Sequence, residues 1–248
     1  MQLQVSYAYD GSFAGFLTCV YESYARKEVP AAFSAPGDTQ LSLYPEREII
    51  TSEDRGGRVF ASLGNKISGD ARRLVVYGFL TCLPDRELHL YAFIRLGYEA
   101  GPAVTRRLTD DRVAVLTNAV RHLMREVQLL KGFVRFSDCG GRLAGEIEPK
   151  NRVLPLLRGH FCGRFPAETF VLYDRTHREA LFHRPGRTAI LPVDTFHMDA
   201  PGSTERFYRD LWRRFYDTIA IEGRYNPKLR MTHMPKRYWG TMTEFQED

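Results

Sequence analysis

Phe133-Val134-Arg135-Phe136, the turn Asp138-Cys139-Gly140-Gly141, and Leu143-Ala144-Gly145-Glu146-Ile147 decide the fold class of this chain. Before Gly132 the apolar residues recur in steps of three and four, the period of a helix; from here the period shortens. Two short apolar runs around a glycine-rich turn predict a hairpin. Thr169-Phe170-Val171-Leu172-Tyr173 and Ala180-Leu181-Phe182-His183 flank the turn Asp174-Arg175-Thr176-His177 and predict a second one. A short helix is expected between them, from about Asn151 to Cys162. The order β-β-α-β-β predicts an antiparallel sheet with a helix on one face.

Upstream of this module the chain reads as helical. Thr109 to Leu130 is the clearest helix, with Thr109 as cap, Asp110 and Asp111 at its positive end and Gly132 just past its finish. Val113, Leu116, Val120, Leu123, Val127 and Leu130 form one stripe that predicts core. Further helices are expected from Thr51 or Ser52 to about Ser68, from Asp70 to Leu83, and from Glu87 to Tyr98. Leu3 to Tyr9 alternates as a strand. Asp10-Gly11-Ser12 then turns the chain into a helix reaching about Lys27. Pro30 to Pro45 reads as loop. The fold class is therefore α+β: a helix-rich N-terminal half, the sheet module, then a basic helix and loop. One domain over 1–248 is expected, with sub-modules 1–131 and 132–248.

Downstream, Thr204 to about Ile221 predicts a basic, aromatic helix, with Phe207, Leu211, Phe215 and Ile219 expected to pack inward. A basic loop follows to Gly240. Between Ser203 and Gly240 nine Arg/Lys stand against four Asp/Glu, a surplus equal to the +5 of the whole protein. Cations interleaved with aromatic rings suit a nucleic acid, because they neutralise phosphates and stack on bases. The candidate contacts are Arg224, Asn226, Lys228, Arg230, His233, Lys236, Arg237, Tyr238 and Trp239. Five neutralised phosphates would give log K a slope near −4 to −5 against log salt.

The bulk numbers fit this reading without forcing it. A pI near 9.0 favours polyanions, while 44% hydrophobic and 26% charged residues are ordinary for a globular protein. No apolar run is long enough for a membrane span. The start lacks a charged, then apolar, leader, and Cys19, Cys82, Cys139 and Cys162 are widely spaced. A reducing, cytoplasmic setting is expected. The chain has no phosphate loop, H-E-x-x-H helix, G-x-S-x-G elbow, deaminase pair or three-cysteine radical motif. These absences argue against ATP hydrolysis, zinc hydrolysis or radical chemistry by this chain alone, and no metal or cofactor is expected. His160, Arg164 and Asp174, or Asp10 beside Ser12, are the remaining acid–base candidates.

Three stretches carry a family resemblance. They are Tyr9-Asp10-Gly11-Ser12-Phe13-x-Gly15-Phe16-Leu17; Pro149-x-x-x-Val153-Leu154-Pro155-Leu156-Leu157 with His160-Phe161 and Arg164-Phe165-Pro166; and Arg224-x-Asn226-Pro227 with His233-Met234-Pro235-x-Arg237-Tyr238-Trp239. Together they resemble a bacterial family described as "probable DNA metabolism protein", a domain of unknown function. Its members are typically encoded beside a radical-SAM DNA modification or repair protein, and some are fused to a uracil-DNA-glycosylase-like domain. The resemblance implies a DNA-binding accessory protein acting with that radical-SAM partner. Two other readings stay open: an enzyme acting on a damaged base or nucleotide, and an adaptor that binds the partner without touching DNA.

Overall fold

A computed structural model describes residues 3–37, 44–197, 202–218 and 226–245. The chain divides into two compact units, Met1–Leu123 and Met124–Asp248.

The first unit is built around β1 (Leu3–Ala8). Ser12 caps α1 (Phe13–Arg26) through its Oγ, which accepts from the Gly15 amide. Lys27 ends α1 in the left-handed region, and β2 (Glu28–Ser34) follows at once. β3 (Glu46–Glu48) pairs on the other side of β1, and both pairings are parallel. The loop expected from Pro30 to Pro45 is thus partly strand. Pro30 cannot donate to a ladder, but β2 is the edge of the order β2-β1-β3, where a proline is tolerated.

The helices of this unit follow their caps. Ser52 caps α2 (Glu53–Ser62) and Ser68 caps α3 (Gly69–Phe79), with a π turn at Leu63–Ile67 between them. α4 (Arg86–Ala100) and α5 (Asp111–Phe133) complete the set, and α5 contains the unit boundary. Asp110, rather than Thr109, caps α5: its Oδ1 accepts from the Arg112 amide, and Gly132 falls inside the last turn. Val113, Leu116, Leu123, Val127 and Leu130 are buried as the stripe predicts, while Val120 is half-buried.

The second unit holds a five-stranded mixed sheet in the order β4-β5-β6-β7-β8. The strands are β4 (Ser137–Asp138), β5 (Leu143–Ile147), β6 (Phe170–Asp174), β7 (Glu179–Arg184) and β8 (Arg187–Pro192). The class is α+β, but the sheet is not antiparallel throughout. β5 and β6 run parallel, because α6 (Leu154–Arg164) is a crossover between them rather than a cap on two separate hairpins. β8 had no counterpart in the sequence reading: it is an exposed edge whose residues do not alternate between apolar and polar. Phe161, Leu157, Phe170, Leu172 and Leu181 fill the core of this unit.

α7 (Ser203–Thr218) departs from expectation in how it packs. Phe207, Leu211 and Phe215 are exposed, at 60%, 44% and 53%. The helix docks instead through polar contacts. Glu205 accepts from the Asp138 amide, Arg209 donates to Ser137 Oγ, and the Trp212 indole donates to Glu244. Ile219 lies outside the described residues. The basic loop is itself largely helical, as α8 (Pro227–His233) and 3-10 turns at Lys236–Thr241 and Thr243–Phe245.

Candidate nucleic-acid interface

The C-terminal basic segment separates into a buried part and an outward part. Asn226 opens α8 as its cap, with Oδ1 accepting from the Leu229 amide at 3.0 Å, and Pro227 sits where a missing N–H costs nothing. Lys228 and His233 are exposed on this helix. Arg230 lies with its guanidinium carbon 5.1 Å from the Trp239 ring and 5.6 Å from Phe245. The Lys236 ammonium is 5.8 Å from the same Trp239 ring. Trp239 and Phe245 stack at 4.4 Å, and the indole donates to the Met234 carbonyl. The aromatic pair thus supports two cations by cation–π contact. Among the described residues no carboxylate pairs with Lys228, Arg230 or Lys236.

Arg237 and Tyr238 have a different setting. Glu126, on α5 and 2% exposed, lies 3.0 Å from the Arg237 guanidinium and accepts from the Tyr238 hydroxyl at 3.2 Å. The same carboxylate accepts from the Lys150 and Asn151 amides and from the Asn151 side chain. Tyr238 is 2% exposed, tilted against Phe133, and hydrogen-bonded to Arg237. Burial, reinforced by Glu126, pushes its phenol up to about 12. Tyr238 therefore has no free face for a base, and the Arg237 charge is already matched. Arg224 lies outside the described residues.

His160 and Arg164 lie one turn apart on α6, while Asp174 makes its hydrogen bonds within its own turn. Asp174 is fully buried and closes the β6–β7 turn, where it accepts from the Thr176 and His177 amides and contacts the His177 ring at 2.7 Å. His160 packs edge-on against Phe161, and its Nε2 is buried without a hydrogen-bond partner. Desolvation, with the charges of Lys131 and Arg164 behind it, lowers the His160 pKa, the opposite of what a carboxylate partner would do. Arg164 is exposed and its guanidinium lies over Phe165.

Asp10 belongs to the first unit and is a turn residue. Its carboxylate accepts from the Ser12 amide and the Thr51 hydroxyl. Desolvation raises its pKa, but the hydrogen bonds from Ser12 and Thr51 outweigh that and leave it lowered. A side chain on Gly15 would run into this carboxylate, so glycine is required by the close approach. Among the described residues no group of His, Cys, Asp or Glu is arranged to hold a metal, and no helix is long and apolar enough to cross a membrane. The four cysteines form no disulfide.

Fold and surface together define a mixed α+β protein with an outward cationic, aromatic C-terminal segment. Residues 84–244 match the family described as "Domain of unknown function (DUF4130)", more than half of the chain, and the protein belongs to that family. No curated protein matches the sequence.

Two features escaped the sequence reading. Glu126 lies in the middle of a long helix, where nothing in its periodicity marks it as a partner for residues near the other end of the unit. The open face of the second sheet gathers Arg142 from the start of β5 with Arg184 and Arg187 from the β7–β8 hairpin.

Proposed function

We propose that this chain is a DNA-binding accessory protein in DNA repair or modification, acting with a radical-SAM partner. The observation that carries the reading is a set of cations without carboxylate partners among the described residues: exposed Lys228 and Lys236 and half-buried Arg230, the last two against the Trp239 ring of the Trp239–Phe245 stack. Cations left unmatched on an aromatic support suit a phosphate backbone. Arg237 and Tyr238 serve the same surface indirectly, by fixing the segment to Glu126. The partnership comes from the family resemblance at the N-terminal, central and C-terminal motifs.

A fluorescence-anisotropy titration of single- and double-stranded DNA, with wild type beside Lys228→Ala/Lys236→Ala, tests the proposal. The double variant is expected to bind about tenfold or more weakly at low salt. Absence of binding by wild type at low salt overturns the DNA reading. One observation favours the adaptor as the second reading: Phe207, Tyr208, Leu211 and Phe215 on α7 face solvent beside this segment. Co-purification with the radical-SAM protein, lost in Phe207→Ser/Phe215→Ser and unaffected in Lys228→Ala/Lys236→Ala, would support it.

A further inference from the structure

The second unit carries a cleft of about 820 Å³ on its sheet, within the size range of small-molecule sites. Strand alternation explains what it presents. Ala144, Val171, Phe182 and Ala189 lie opposite one another across β5, β6, β7 and β8, so their side chains share one face. α6 covers the other face, where Phe161 and Phe165 cluster with Phe136 and Phe170. The open face has a low floor of alanines and valine, from which the Phe182 ring projects, 39% exposed. Phe196, tilted against Tyr173 with ring centroids 4.9 Å apart, provides a second aromatic wall.

One step further along the strands the same face turns cationic. Arg184 and Arg187 are directly opposed across the two-residue loop Pro185-Gly186, with Gly186 in the left-handed region at φ +75°. Arg142, also exposed, enters from the start of β5. Among the described residues no Asp or Glu lines the cleft, and none of the three arginines has an ion-pair partner. Like charges placed opposite each other on a ladder destabilise it. An anion between them would remove that cost.

We infer that this cleft binds a nucleoside phosphate, with the base against Phe182 and Phe196 and the phosphate held by Arg142, Arg184 and Arg187. Guanidinium forks match phosphate oxygens in pairs, and an aromatic ring accepts any base by stacking. The nucleotide is either free or one unit of a single strand. The cleft shares no residue with the Lys228–Lys236 surface, so this inference stands or falls apart from the proposed function.

Calorimetric titration of the full chain with thymidine 5′-monophosphate, thymidine, inorganic phosphate and a thymidine dinucleotide tests it. Wild type is expected to bind the monophosphate at least tenfold more tightly than thymidine or phosphate alone. Arg184→Ala/Arg187→Ala, at exposed positions, should lose at least tenfold. Phe182→Ala should lose roughly five- to hundredfold, the range of one stacked base. Lys228→Ala/Lys236→Ala should bind the monophosphate as wild type does. A tighter dinucleotide assigns the site to a strand, and equal affinity assigns it to the free nucleotide. Phosphate binding as well as the nucleotide, or cleft variants that bind as wild type, overturns the inference.

Discussion

The Glu126 carboxylate gathers two backbone amides, the Asn151 side chain, the Tyr238 hydroxyl and the Arg237 guanidinium. Removing it leaves several buried donors unsatisfied at once, so Glu126→Ala should cost about 3 kcal/mol or more in urea denaturation. A cost below about 1 kcal/mol would contradict this role. Tyr238 supplies a second check. Its folded phenol titrates near 12, above the usual value of 10. Its contribution to stability is therefore complete below about pH 10 and is lost as pH rises through 12. Tyr238→Phe should flatten that alkaline loss and remove one late-titrating phenol from the phenolate absorbance. The sequence showed Arg237 and Tyr238 as a cation and an aromatic ring. It did not show their partner, because Glu126 is 112 positions from Tyr238 and no local pattern spans that distance.

Elements with local signals were legible, and those without were not. Ser12, Ser52 and Ser68 each cap the helix that follows, and Asp174 closes the hairpin turn that its sequence announced. β2 was hidden by Pro30, and β8 by its lack of alternation. The direction of β6 depended on α6 acting as a crossover, a tertiary fact. The apolar face of α7 misled for a related reason: spacing of four predicts a stripe, but not that anything covers it. The opposed pair Arg184 and Arg187 leads to an element-scale prediction. Arg184→Thr should stabilise the unliganded protein by roughly 0.2–1 kcal/mol in thermal or urea denaturation. A loss of stability would mean that the β7–β8 hairpin bears no such repulsion.

For the whole molecule, the sequence located the charge surplus but not which of its cations are already paired with carboxylates. Nine cations stand between Ser203 and Gly240, yet Arg237 is held by Glu126 and Arg209 by Glu205. Among the described residues, three of the cations on and after α8 have no carboxylate partner: exposed Lys228 and Lys236, and half-buried Arg230. With Arg224 outside the described residues, Lys228, Arg230 and Lys236 account for about −2.7 of the slope on duplex DNA. The measurement that tests this most directly is duplex-DNA affinity over a series of salt concentrations for wild type, Lys228→Ala/Lys236→Ala and Arg237→Ala. The double variant is predicted to make the wild-type slope shallower by about 1.8, and Arg237→Ala to leave it unchanged. A slope the same in wild type and the double variant, or an affinity indifferent to salt, would contradict it.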